Sequence, residues 1–235
     1  MSLEAKIERA RRLVASVEKS FLPAALASSF GAEDMVVLDL IARDGLAIDI
    51  FTLDTGRLPP ETHALITQVR RRYGLKIAVF SPWPDSVAAF VEEYGINGFY
   101  DGLEQRKSCC AVRKVEPLRR ALSGKRGWIT GLRREQAESR AALAESEFDS
   151  VYGLWKFSPL ADWTEAQVWE YLRAHRVPYN ALHDRGYPSI GCEPCTRAVK
   201  KGEHPRAGRW WWEQEGAHKE CGLHEIAIKI LETAA

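Results

Sequence analysis

The sequence lacks any run of about 20 consecutive apolar residues, the length a membrane-spanning helix needs, so a membrane span is not expected. It also lacks an excess of charge: Lys plus Arg (33) balance Asp plus Glu (32), net +1, and bulk charge gives no reason to expect a nucleic-acid or membrane partner. The opening stretch MSLEAKIERARRLVASVEKSF has charges every few residues, unlike a secretory leader, and the expectation is a soluble cytoplasmic protein. An even set of cysteines is missing too. The five are Cys109, Cys110, Cys192, Cys195 and Cys221, and an odd number without a leader argues against a disulfide framework. No internal repeat or low-complexity tract is present.

What is there suits an α/β domain. At 235 residues and 46% apolar, the chain is long enough for one substantial core, and the expected division is a main domain over 1–205 with a C-terminal segment over 206–235. Leu3, Ile7, Ala10, Leu13, Val14 and Val17 have helical spacing and Pro23 ends the helix. Short apolar runs at 24–28, 46–53, 75–80 and 127–130 read as strands, and 33–43 and 60–73 between them as helices. Strand then helix, repeated, predicts a doubly wound, mostly parallel sheet with ligands beyond the carboxyl ends of its strands. The polar stretch 139–152 reads as a mobile loop. Thr164 and Gln167 occupy capping-box positions for a helix over 164–175. After Pro178, glycines and prolines interrupt any long element, so order there needs another source, such as bound metal.

Cys192-Glu-Pro-Cys195 is a CxxC in a tight turn, a spacing used by zinc, cluster and redox sites alike. Cys109 and Cys110 are adjacent, so their side chains diverge. They suit separate irons of a [4Fe-4S] cube better than one tetrahedral zinc. Ordinary buried thiols are the plainer alternative. Four ligands leave Cys221, in Lys219-Glu220-Cys221-Gly222-Leu223-His224, as the free thiol and candidate nucleophile.

Ser28, Ser29, Phe30, Gly31, Glu33 and Asp34 follow the first strand and open a helix, a pattern that suits an anion cradle or simply a helix cap. Asp54 and the turn at Gly56 end the second strand, where they contact a ribose or cap a turn. Gly131, Arg133 and, farther on, Arg140 follow the fourth strand and bring guanidinium groups to where an anion would lie. Lys114 is four residues after Cys110, hence on the same helical face. Arg206 and Arg209 precede Trp210-Trp211-Trp212. Basic plus aromatic is compatible with single-stranded nucleic acid, but three consecutive tryptophans read better as packing of a lid.

The stretches SSFGAED (28–34), LDTGRLPPET (53–62), CCAVRKVEPL (109–118), GLRREQ (131–136), GCEPCTR (191–197) and KECGLH (219–224) together resemble the assimilatory adenylyl-sulfate and phosphoadenylyl-sulfate reductases, relatives of the PP-loop ATP pyrophosphatases. That resemblance implies a PP-loop-like sheet, one [4Fe-4S] cluster on the four paired cysteines, and a mobile C-terminal segment. It implies attack by Cys221 on the sulfur of adenylyl sulfate, then release of sulfite by thioredoxin or a similar dithiol. Lys114, Arg206, Arg209 and His224 match positions that contact or surround substrate. Family members with both cysteine pairs usually prefer adenylyl sulfate over its 3′-phosphorylated form. A homo-oligomer remains open. The rivals are a phosphoadenylyl-sulfate reductase, a PP-loop ATP pyrophosphatase of the tRNA-thiolation type, and a cluster-bearing nucleic-acid binder. The near-neutral charge counts against the last two.

Overall fold

A computed structural model describes residues 2–213. The chain divides into two compact units: one comprises the chain up to Thr52, Thr62–Ala78 and Leu122–Asn180, the other Leu53–Glu61, Val79–Ala121 and the chain from Ala181.

The first unit begins with α1 (Leu3–Phe21), capped by Ser2 Oγ, which accepts the Ala5 N–H. Its Ala10, Val14 and Val17 recur every three to four residues and are buried as one stripe. The sheet holds β1 (Ala24–Ala27), β2 (Asp49–Leu53), β3 (Ile77–Phe80), β4 (Gly127–Ile129), β5 (Ser146–Asp149) and β6 (Leu154–Phe157), in the order β3-β2-β1-β4-β6-β5. β1 pairs in parallel with β2 on one side and β4 on the other, and β4 pairs in parallel with β6. The order therefore reverses at β1 and β4, the kind of switch point where open α/β sheets bind ligands. The parallel, doubly wound reading holds. It did not include β5 and β6. β5 pairs antiparallel with β6 and lies within the stretch expected to be a mobile loop, a correction to that expectation.

α2 (Ala32–Asp44), α3 (Pro60–Tyr73) and α7 (Glu165–Ala174) contribute to a core that includes Met35, Leu38, Ile41, Leu65, Val69, Ile129, Trp163 and Tyr171. Fully buried Asp39 accepts hydrogen bonds from Tyr73 Oη at 2.6 Å, Tyr171 Oη at 2.8 Å and Arg43 Nε at 2.6 Å. A buried carboxylate with three donors is satisfied rather than costly. Burial and Asp39 push both phenols upward in pKa.

The second unit contains α4 (Pro84–Tyr94), α5 (Leu103–Cys110), a π-helical turn (Ala111–Val115) and α6 (Glu116–Leu122), whose last residue returns to the first unit. Phe90, Phe99 and Cys109 form its small core, with Tyr94, Cys195 and Trp212 packed against them. No described helix is long and apolar enough to cross a membrane.

Candidate active site

In the first unit the candidate cradle follows β1. Phe30 takes a left-handed φ of 60° and is buried, and α2 starts behind Gly31 with no side-chain cap. Uncapped N–H groups at a helix start attract anions. The Ser29 N–H and Oγ both donate to Asp34 Oδ2, and Phe30 N–H donates to Ser28 Oγ, so these groups shape the loop itself. Burial pushes the Asp34 carboxyl up to about 6, against the pull of its Ser29 and Gly131 hydrogen bonds. Gly131, just beyond β4, comes so near α2 that a Cβ there would stand 2.4 Å from Asp34 Oδ1.

Arg133 is buried, and its guanidinium is committed to protein groups: 2.8 Å to Glu33, 2.9 Å to Glu135 and 3.3 Å to the Trp163 carbonyl. It joins the loop after β4 to the first turn of α2. Arg140 donates from Nη1 to Gln136 Oε1. These contacts account for the GLRREQ stretch as a structured turn beside the switch point.

The second unit brings the paired cysteines together. Cys109, Cys110, Cys192 and Cys195 are free thiols, the first three buried and the last partly so. All four line one pocket, along with Lys114, Arg57, Arg106, Arg113 and Trp210. Cys109 and Cys110 end α5, directly before the π-helical turn, a feature often found at functional sites. Among the described residues no group of three or more His, Cys, Asp or Glu side chains converges on a single-ion site.

Hydrogen bonds as well as any bound group order the CxxC turn. Cys195 N–H donates to the Cys192 carbonyl, Thr196 Oγ1 donates to the same carbonyl, and Glu193 N–H donates to the Arg57 carbonyl. Gly191 packs under the Arg209 guanidinium, which would have to shift to admit a Cβ, since one there would lie 2.3 Å from it. Thr55 Oγ1 lies 3.2 Å from Cys192 Sγ. Burial pushes the Cys109 thiol up, and it pushes Cys195 to about 12 despite nearby Lys114 and Arg209.

Lys114 thus reaches the thiol pocket as its spacing predicts. Asp54 Oδ1 accepts the Gly56 N–H, closing the turn. Arg209 is buried and stacks on Trp210, and the Arg206 N–H donates to His204 Nδ1. Trp210 is buried, Trp212 packs on Tyr100 and Trp211 is 48% exposed, so two of the three tryptophans serve packing. Cys221 and His224 lie outside the described residues. Sequence reasoning missed Arg57, Arg106 and Arg113. The i, i+3 and i, i+4 spacing of Arg106 and Arg113 from Cys109 was the available signal.

An open parallel sheet with its loops gathered at a switch point is the architecture of nucleotide-binding α/β proteins. Yeast FAD synthetase shares that fold, with a TM-score of 0.56 at 16% identity over 83% of this chain and 67% of that one. Residues 23–198 match the phosphoadenosine phosphosulfate reductase domain, and the chain belongs to that family. It is 58% identical to the adenosine 5′-phosphosulfate reductase of Allochromatium vinosum over 84% of this chain and 77% of that protein. It is 54% identical to that of Burkholderia cepacia over 96% and 90%. The crystal structure of phosphoadenylyl-sulfate reductase from Candida auris, a phosphate complex, matches with a TM-score of 0.70 at 28% identity, over 81% and 90% of the two chains.

Proposed function

We propose that this chain is a cytoplasmic, thioredoxin-dependent adenylyl-sulfate reductase of assimilatory sulfate reduction. The observation that carries this reading is the single pocket lined by Cys109, Cys110, Cys192, Cys195 and Lys114. Relatives at 54–58% identity named adenosine 5′-phosphosulfate reductase support the same substrate.

The donor set fits a [4Fe-4S] cluster. Four thiolates around a cube carry net negative charge, and Arg57, Arg106, Arg113 and Lys114 line the same pocket to offset it. When bound, the cluster would order the CxxC turn and supply a fixed local charge.

The chain's own residues carry out the steps. The loop at 28–34 and the start of α2 are the candidate phosphate cradle, and Lys114, Arg206, Arg209 and His224 match family positions that contact or surround substrate. The Cys221 thiolate attacks the sulfur, the bond from sulfur to the phosphate oxygen breaks, and AMP leaves with the electron pair. A thiolate of the dithiol then attacks Cys221 Sγ, and sulfite leaves. The resulting mixed disulfide is resolved by the second thiol, which supplies the two electrons overall. The C-terminal segment, 206–235, carries the nucleophile.

The test is anaerobic sulfite release by the purified protein with thioredoxin, comparing adenylyl sulfate with its 3′-phosphorylated form. Faster turnover of the first supports the reading. Preference for the second keeps the chemistry and changes the substrate, and sulfite from neither, with ATP hydrolysis on added tRNA, favours the ATP-using rival. Cys221→Ser is expected to keep its iron and lose sulfite formation.

A further inference from the structure

We propose that Arg133 is a positioning residue for nucleotide binding that acts through Glu33: it holds the first turn of α2 and cancels the Glu33 charge, so that the loop at 28–34 can accept a phosphate. This rests on the functional reading above, which takes that loop as the phosphate cradle, and it names a determinant of affinity there.

The helix behind the cradle opens with two carboxylates, Glu33 and Asp34. Acidic side chains in a first turn favour the helix through its dipole. The same charges repel any anion brought to the N–H groups there. In this chain both are taken up by protein groups. Asp34 turns onto the loop, where its Oδ2 accepts the Ser29 N–H at 2.6 Å and the Ser29 hydroxyl at 2.7 Å. Glu33 is met by Arg133, whose Nε and Nη2 each lie 2.8 Å from Glu33 Oε1. The Arg133 side chain is 6% exposed and that of Glu33 18%, so water and salt screen this pair less than a surface pair.

The far side of the guanidinium is held as well. Its Nη1 donates to Glu135 Oε2 at 2.9 Å and to the Trp163 carbonyl at 3.3 Å. Glu135 Oε2 also accepts the N–H of Glu165, the first residue of α7, at 2.7 Å. Arg133 therefore stands between two carboxylates with different neighbours. Glu33 belongs to the first turn of α2, whereas Glu135 belongs to the turn after β4 and is 55% exposed. With its nitrogens facing protein acceptors, the arginine influences a bound anion by neutralising Glu33 rather than by touching the anion. Without it, a bare carboxylate would stand in the first turn of the helix that meets the phosphate. At an effective dielectric near 20, such a charge lowers affinity for an anion by about tenfold.

The experiment uses the intact anaerobic holoenzyme and measures the Kd of AMP and of uncharged adenosine by equilibrium dialysis, with sulfite release from adenylyl sulfate in parallel. Arg133→Gln is expected to weaken AMP binding by about tenfold and to leave adenosine binding unchanged, a split that a merely structural role would not produce. Should that variant fail to fold, two double variants form a matched pair. Each lacks the arginine and one of its two carboxylates, and they differ only in which carboxylate remains. Arg133→Gln with Glu33→Gln is expected to bind AMP about tenfold more tightly than Arg133→Gln with Glu135→Gln. Equal AMP affinity in the two doubles, or adenosine binding that falls together with AMP binding, overturns the proposal. A wild-type enzyme that binds no AMP and releases no sulfite overturns the functional reading and this proposal with it. An active wild type whose variants bind AMP normally overturns the role of Arg133 alone.

Discussion

The carboxylate of Asp34 accepts both the N–H and the hydroxyl of Ser29, at 2.6 and 2.7 Å, so the loop after β1 is closed by a residue of the helix it leads into. That carboxyl is buried and titrates near 6, against an ordinary 3.8. Between those values the folded state binds more protons than the unfolded chain, so Asp34 makes stability fall as pH rises. The cost is present in full above pH 6 and is relieved as pH drops toward 4. From pH 7 to pH 5 the wild type should gain on the order of 1 kcal/mol relative to Asp34→Asn. Anaerobic urea unfolding of both proteins at the two pH values checks this. A difference that stays flat would mean that Asp34 does not titrate in that range.

Thr55 Oγ1 accepts the Arg57 N–H and stands 3.2 Å from Cys192 Sγ, a contact in which either group can donate; with Cys192 as a ligand thiolate only the hydroxyl has a hydrogen to give. Hydrogen bonds to cluster sulfurs favour the more negative, reduced state. Thr55→Val keeps the volume and removes that donor. The variant is expected to keep its iron and show a lower cluster midpoint potential in a titration followed by electron paramagnetic resonance. An unchanged or higher potential would show that this hydroxyl does not donate to a ligand thiolate.

Cys192→Ser replaces a pocket thiol with a hydroxyl, a poor ligand for iron. Iron per chain and the brown colour should both fall, whereas Cys221→Ser keeps both. Equal iron in the two variants would exclude Cys192 from the ligand set.

The capping box at α7 was legible because it is local: Thr164 Oγ1 accepts the Gln167 N–H at 3.2 Å, and Gln167 Oε1 accepts the Thr164 N–H at 3.0 Å. The alternation from β1 to β3 was legible for the same reason, and so was each cysteine motif taken by itself, being a short pattern. α5, with the sequence LEQRKSCC, was not, since its buried side chains are an arginine and two cysteines rather than an apolar stripe. β5 has only one large apolar residue, Phe148, and that side chain is exposed, so the period-two signal that marks a half-buried strand is absent. The contact between Arg106 and Glu213 joins positions 107 residues apart, and only the fold could pair them. Arg133 illustrates a different limit. Its place after β4 was legible, but its commitment to Glu33 and Glu135 depends on where α2 starts.

Gly131 offers a way to disturb the candidate nucleotide loop without touching a thiol. A Cβ at that position would stand 2.4 Å from Asp34 Oδ1, 2.9 Å from the Asp34 nitrogen and 3.0 Å from the Glu33 carbonyl carbon. The carboxylate can rotate, but two of the three atoms are backbone at the start of α2, so the strand-to-helix contact itself must open. Such overpacking typically costs about 1–3 kcal/mol. Gly131→Ala is therefore expected to lower stability by that amount and to raise KM for adenylyl sulfate, because the cradle and the loop after β4 no longer meet. Iron content should stay at the wild-type value, since all four paired cysteines belong to the other compact unit. Steady-state kinetics with iron analysis on one preparation separates the outcomes. A raised KM with full iron places the nucleotide at the switch point of the sheet, and an unchanged KM in a destabilised variant would move it elsewhere.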